Sequence, residues 1–265
     1  MKSRLLLTLF LIVFAAEKGN AVPTGGDSSV ISSVPASFHF NDFYKKYINA
    51  GGIPVISSEK VPDAALLEAK KIIGQMLANV PEIIPKLQEY NVRVAIMGVN
   101  ELPTDIPEHS DLNTEFPGTN WNTRGRGYGA TVERPATTCA EENLLCYTND
   151  RYKGENILVH EFAHTIHQLG LHFLYPGFDE QLACIYDIAI ERGLWKNTYA
   201  ISNVKEYWAE GVQDWFNVNV KSVPANGIHN EISTRQQLKD YDPDLYDLIS
   251  LYFSDTNEKV GCQAN

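Results

Sequence analysis

Cysteine is sparse in this 265-residue chain, with four in all, at positions 139, 146, 184 and 262. No two have the CxxC spacing, which excludes a zinc ribbon or a thioredoxin-type redox motif. Cations are outnumbered, 22 Lys and Arg against 33 Asp and Glu, for a formal net charge of −11. Nucleic acid and anionic membrane surfaces are therefore poor partners, and neither is expected. There is no Asn-x-Ser/Thr sequon, so no N-glycosylation is expected. No internal repeat or low-complexity tract is present, which excludes a solenoid. Beyond the N-terminus no run reaches eighteen apolar residues, so no internal helix is expected to span a bilayer.

The N-terminus, MKSRLLLTLFLIVFAAEKGNA, has the grammar of a secretion signal. Lys2 and Arg4 precede an apolar core from Leu5 to Ala16, and Gly19-Asn20-Ala21 offers small residues for cleavage. Residues 1–21 are read as a signal peptide, leaving a secreted, extracellular protein with no membrane attachment. Cleavage removes Lys2, Arg4 and Lys18 against Glu17, taking the formal charge from −11 to −13. An even cysteine count suits an oxidising destination, and Cys139–Cys146 with Cys184–Cys262 are the favoured pairings. Residues 22–36, rich in Ser, Gly and Pro, read as a flexible segment ahead of one domain over 37–265.

Within that domain the N-terminal half mixes strands and helices. IPVIS (53–57) after Gly51-Gly52 and VRVAIMGV (92–99) read as strands. Asp63 is placed as the cap of a helix to about Asn79, with Leu66, Leu67, Ile72, Ile73 and Leu77 inward, and a second helix covers 82–90. Residues 101–123 read as a long ordered loop. RGRGYGATVE (124–133) is either a sheet edge on which an extended peptide docks by strand addition or a bulged strand. Later elements read as helices at about 178–192, 204–219, 233–240 and 244–253.

The chemistry concentrates in HEFAH, residues 160–164. Histidines four apart on a helix lie about 40° out of line on one face, so both imidazoles can grip one ion. Ile157, Leu158, Phe162, Ala163 and Ile166 form an apolar stripe beside them, and histidines on such a buried face are costly without partners. Zn²⁺ suits the pair because it accepts neutral nitrogen ligands in tetrahedral geometry. Glu161 can reach a water on that metal and act as its general base.

A catalytic zinc site needs a third protein ligand. The metzincin pattern would require glycine at position 167 and histidine at position 170, whereas the chain has His167 and Gly170. Met1, Met76 and Met97 leave no methionine downstream for a Met-turn. The aminopeptidase spacing falls on Ala183 and the thermolysin spacing on Cys184. EYWAEGVQDWF (206–216) instead puts Glu206 and Glu210 on one helical face beside Trp208, Val212 and Trp215. One glutamate on the metal and one bonded to a ligand histidine would satisfy both. The competing reading is that Glu206 only completes a capping box with Asn203. Asp179 and Glu180 are the fallback ligands. His167 continues the ligand face, and His109 sits in a loop that can line the cleft.

HEFAH, Tyr199 and EYWAEGV (206–212) together resemble the catalytic domain of the anthrax lethal factor-like zinc peptidases, which include the bacterial Pro-Pro endopeptidases. The seven-residue step from Tyr199 to Glu206 and the four-residue step to Glu210 match that family's pattern. The resemblance implies an α+β, zincin-like (gluzincin-type) fold, with a mixed strand/helix lobe, a helical C-terminal lobe and the metal cleft between them. It implies one Zn²⁺ per chain on His160, His164 and Glu206, Glu161 as general base, Tyr199 donating to the oxyanion, and Glu210 supporting a ligand. The expected protein is a monomeric secreted endopeptidase acting on a protein or peptide substrate. The alternative is a secreted zinc-binding recognition module that does not cut.

Overall fold

A computed structural model describes residues 30–255 and 260–261. The expected signal peptide and residues 22–29 lie outside the described residues. From Val30 the chain is already engaged: Ser32 exchanges two backbone hydrogen bonds with Tyr47, at 3.0 and 2.8 Å.

The four strands among the described residues lie between Lys46 and Ala140. β1 (Lys46–Ala50) pairs antiparallel with β2 (Ile53–Ser57). β3 (Arg93–Met97) and β4 (Ala136–Ala140) continue the sheet in parallel, in the order β1-β2-β3-β4. Parallel pairing of β2 and β3 requires a crossover, supplied by α1 (Asp63–Leu77) and α2 (Ile84–Glu89). Side chains alternate across the pleat. Val55, Val94, Ile96 and Cys139 enter the main core with the helices. Ile56, Ala95, Met97 and Ala136 enter a smaller core under Tyr44.

Residue-level outcomes differ from the pattern in informative places. Pro62, not Asp63, takes the cap position of α1, and the Asp63 carboxylate instead accepts from Lys46 at 2.8 Å. Leu67 is 42% exposed, while Ala65, Ala69 and Met76 join Leu66, Ile72, Ile73 and Leu77 inward. The small alanines thus set the helix's phase against the sheet. Within the loop between β3 and β4, α3 (Leu112–Glu115) and α4 (Trp121–Arg124) are single turns.

Among the described residues the elements after β4 are helical: α5 (Glu141–Leu144), α6 (Ile157–Ile166), α7 (His172–Leu174), α8 (Phe178–Arg192), α9 (Val204–Trp215), α10 (Arg235–Tyr241) and α11 (Pro243–Ser250). The molecule is therefore α+β, with a small mixed sheet first and a helical second half. α6 packs on β4, α1 and α9, which puts it at the seam between the halves.

The favoured cysteine pairings are not formed. Cys139 and Cys184 carry free thiols, and Cys146 is disulfide-bonded. Cys139 points from β4 into the helix-side core, where burial pushes its thiol pKa upward. Cys146 lies beyond α5 in a left-handed conformation, φ 59°. Strand orientation, not separation along the chain, keeps those two apart. Cys262 lies outside the described residues.

Candidate metal centre

The HEFAH segment folds as α6 because its ends and faces are satisfied. The Asn156 side chain caps it, accepting from Val159 N at 3.0 Å, a contact worth about 1 kcal/mol. Ile157, Leu158, Phe162, Ala163 and Ile166 are all buried, as the apolar stripe requires. Thr165 ties the helix to its neighbours. Its hydroxyl donates to Glu161 O at 3.0 Å, accepts from Ala130 N at 3.0 Å, and meets Thr137 Oγ1 at 2.6 Å.

α9 crosses α6 and delivers the third group. Asn203 caps α9, its side chain accepting from the backbone N–H of both Lys205 and Glu206. Glu206 is thus not needed to close a capping box, and its carboxylate turns to the histidines. Glu206 Oε2 lies 3.0 Å from His160 Nε2 and 3.2 Å from His164 Nε2, and the two Nε2 atoms are 3.2 Å apart. Among the described residues this is the one group of three such side chains whose donor atoms converge closely enough to hold a metal ion.

The donor set fits zinc on its own terms. Tetrahedral bonds of roughly 2.0–2.1 Å put neighbouring ligand atoms about 3.3 Å apart, close to the triangle observed here. His160 Nδ1 lies 2.7 Å from Gln213 Oε1, an acceptor, so the ring proton belongs on Nδ1 and the Nε2 lone pair faces Glu206. Across 3.0 Å the Glu206 carboxylate faces His160 Nε2, where either a proton on the imidazole or a cation bound by both groups satisfies the contact.

Electrostatics point the same way. Burial depresses the His160 pKa, but its bond to Glu206 and the charges of Glu161, Glu210 and Glu206 overcome this and lift it to about 10. Burial raises the pKa of Glu206, yet the two histidines outweigh it and hold the carboxyl well below its ordinary range. Glu161 is raised by burial, against the pull of both histidines. Three carboxylates around two imidazoles form a negative pocket suited to a dication.

The remaining expected residues sort clearly. Glu210 Oε1 lies 3.5 Å from His160 Nδ1, and its Oε2 accepts from Asn219 at 3.1 Å. Gln213 is therefore the nearer partner of His160, in the place expected for Glu210. The same face of α9 carries 206, 210 and 213, so helical spacing alone was the available signal. Tyr199 is 37% exposed, and its ring stacks 6.3 Å from the His160 ring beside the Glu206 carboxylate. Burial, then the Glu206 charge, raises its phenol pKa, so it stays a hydrogen-bond donor at neutral pH.

His167 turns away from the triangle to Asp179 at 2.9 Å, and Asp179 also accepts from His172 at 2.5 Å. Asp179 is thereby occupied, and Glu180 stands beside it in the first turn of α8.

The glycine-rich segment is placed by close packing on α6. A Cβ at Gly129 would lie 2.8 Å from His164 Cβ and 3.2 Å from Glu161 O, and one at Gly127 would collide with Ile157. His164 Nδ1 is buried with no hydrogen-bond partner. Gly129 packed on the His164 Cβ therefore helps fix that ring. Toward the sheet, Tyr128 pairs with Thr138 of β4 through two backbone bonds of 3.3 and 2.8 Å. The Gly129 N–H also serves the Glu161 carboxylate.

His109 does not line the cleft; it is 2% exposed and stands edge-on to Tyr128 at 5.3 Å. Burial lowers its pKa to about 4. A folded-state pKa below the ordinary 6.5 means that the unfolded chain binds the extra proton first. His109 should then cost the protein up to about 3 kcal/mol of stability as pH falls from about 6.5 to about 4. Chemical denaturation across that window checks this. His109→Asn should flatten the acid slope, and an unchanged slope would contradict the assignment.

No family model matches the chain, and no curated protein matches it. Among solved structures, the Pro-Pro endopeptidase PPEP-2 from Paenibacillus alvei is similar, with a TM-score of 0.49 and 18% sequence identity. The match covers 75% of this chain and 97% of that one.

Proposed function

We propose that this protein is a zinc-dependent endopeptidase. The observation that carries the reading is the triangle of His160 Nε2, His164 Nε2 and Glu206 Oε2, with sides of 3.0–3.2 Å, with Glu161 and Tyr199 at its border. His160, His164 and Glu206 would hold the ion, and Gln213 and Glu210 would orient His160. A zinc ion there supplies Lewis acidity, lowering the pKa of water and polarising a carbonyl.

The chain's own groups do the rest. Glu161, raised by burial, takes a proton from the attacking water and passes it to the departing amine. Tyr199, kept protonated, donates to the carbonyl oxygen as negative charge develops on it. Gly129 N–H aims the Glu161 carboxylate and offsets part of the rise that burial gives its pKa. The motif resemblance to lethal factor-like peptidases supports the same assignment. An extracellular setting is part of the proposal, supported by the apolar N-terminal run and the disulfide-bonded Cys146.

The test is a proteome-derived peptide library incubated with the purified protein and read by mass spectrometry. Cuts should appear, vanish with a chelator and return with added zinc. A protein that carries one zinc per chain and cuts nothing would instead be a zinc-binding recognition module.

A further inference from the structure

Near the metal centre are two arginines for which the described residues provide no carboxylate partner. The single turn α4 is anchored on three sides. Asn120 caps it at 3.2 Å, Trp121 N–H donates to Asn113 Oδ1 at 3.1 Å, and Asn122 Oδ1 accepts from the Thr104 hydroxyl at 2.8 Å. At its end the exposed Arg124 guanidinium lies over the Trp121 indole, 5.2 Å from the ring centroid. Trp121 stands edge-on to Tyr128 at 5.5 Å. Tyr128 lies between the two glycines that pack on Glu161 and His164. Two aromatic rings thus link Arg124 to the helix that carries the ligands.

Arg151 joins it through the backbone, donating to Thr123 O at 3.3 Å and to the Tyr152 hydroxyl at 2.8 Å. Burial dominates the Tyr128 phenol, raised to about 12, but both arginines oppose it. Arg124 likewise opposes the burial that raises Tyr199. The positive charge of Arg124 is therefore felt at both phenols.

The contrast with Arg126, two residues on, is instructive. Arg126 is held by Glu142 at 2.6 and 2.9 Å and by Gly98 O at 3.1 Å, a structural role that satisfies its fork. Arg124 and Arg151 have no ion pair among the described residues, in a chain with an excess of acids. A guanidinium stacked on an indole has one face covered and its N–H edges free, which pre-organises it for a planar, bidentate acceptor.

We propose that Arg124, with Arg151 adding charge, binds a carboxylate of the substrate and so selects which peptide bond reaches the metal centre. That carboxylate is an acidic side chain or the C-terminus of the peptide. This inference rests on the endopeptidase reading.

The test uses the full protein and a peptide it cleaves, with Glu, Gln or Lys placed in turn at each position flanking the cut. Each peptide is made as free acid and as amide. The readout is the ratio of kcat/KM for the carboxylate-bearing peptide to that for its neutral counterpart. Wild type should give a ratio of roughly ten or more at one position, falling with added salt. Arg124→Gln should bring it near one, and Arg124→Glu should make Lys preferred over Glu there, a reversal that a merely structural residue would not produce. A free-acid preference lost on amidation assigns the C-terminus, and a Glu preference in both series assigns the side chain. A ratio near one in wild type, or one unchanged in Arg124→Gln, overturns the proposal and leaves the peptidase reading standing. Failure of wild type to cut any library peptide overturns that reading, and this inference with it.

Discussion

Glu161→Gln is expected to bind zinc as the parent does and to lose about 10³-fold in kcat/KM. The carboxylate is not part of the ligand triangle, so replacing one oxygen with an amide nitrogen leaves His160, His164 and Glu206 in place. A glutamine keeps the side chain's length and retains an acceptor for Gly129 N–H, so the local packing has no reason to shift. What disappears is the ability to accept a proton from water and to return it to the leaving amine. Kinetics beside metal analysis of the same preparation separate the two effects. A variant with full activity and full zinc would end the general-base assignment. Loss of zinc along with activity would mean that Glu161 supports the metal rather than the proton transfer.

Glu206→Ala should produce the opposite pattern, with zinc affinity as the primary loss. One corner of the triangle disappears, leaving two imidazoles as protein ligands where a catalytic site ordinarily has three. The drop should exceed the roughly 10–100-fold that follows removal of a group hydrogen-bonded to a ligand. Gln213→Ala supplies that smaller loss as an internal scale, because Gln213 touches the site only through His160 Nδ1 at 2.7 Å. Competition with a chromogenic chelator measures both. Equal losses in the two variants, or none in Glu206→Ala, would remove Glu206 from the ligand set.

The parts of this molecule that were legible in its sequence are those written in one local period. HEFAH declares its helix, the shared face of its two histidines and its apolar stripe within ten residues, and all three are present. The strands at 53–57 and 93–97 were legible because β-branched residues crowd there. Glu206 was less so. Its proximity to the histidines depends on how α9 crosses α6, more than forty residues away, and only the family spacing with Tyr199 singled it out. Gln213 escaped notice because a neutral amide gives no charge signal.

The glycines at 127 and 129 looked like strand-edge features, yet what makes them small is the helix pressed against them. Cysteine pairing failed as an inference for a related reason. A short separation between 139 and 146 says nothing about which face of β4 holds the first thiol. Leu67 shows the limit of periodicity in miniature, since alanines at 65 and 69 took the places that bulk alone would have given it.

The central claim is that His160, His164 and Glu206 together hold a zinc ion, and X-ray absorption at the zinc edge, with metal quantification on the purified full chain, tests it most directly. The expected result is one zinc per chain with nitrogen and oxygen ligands at roughly 2.0–2.1 Å, histidine scattering in the outer shells, and loss of that signal in His164→Ala. A chain that retains no zinc, or one whose zinc is surrounded by sulfur at about 2.3 Å, would contradict it.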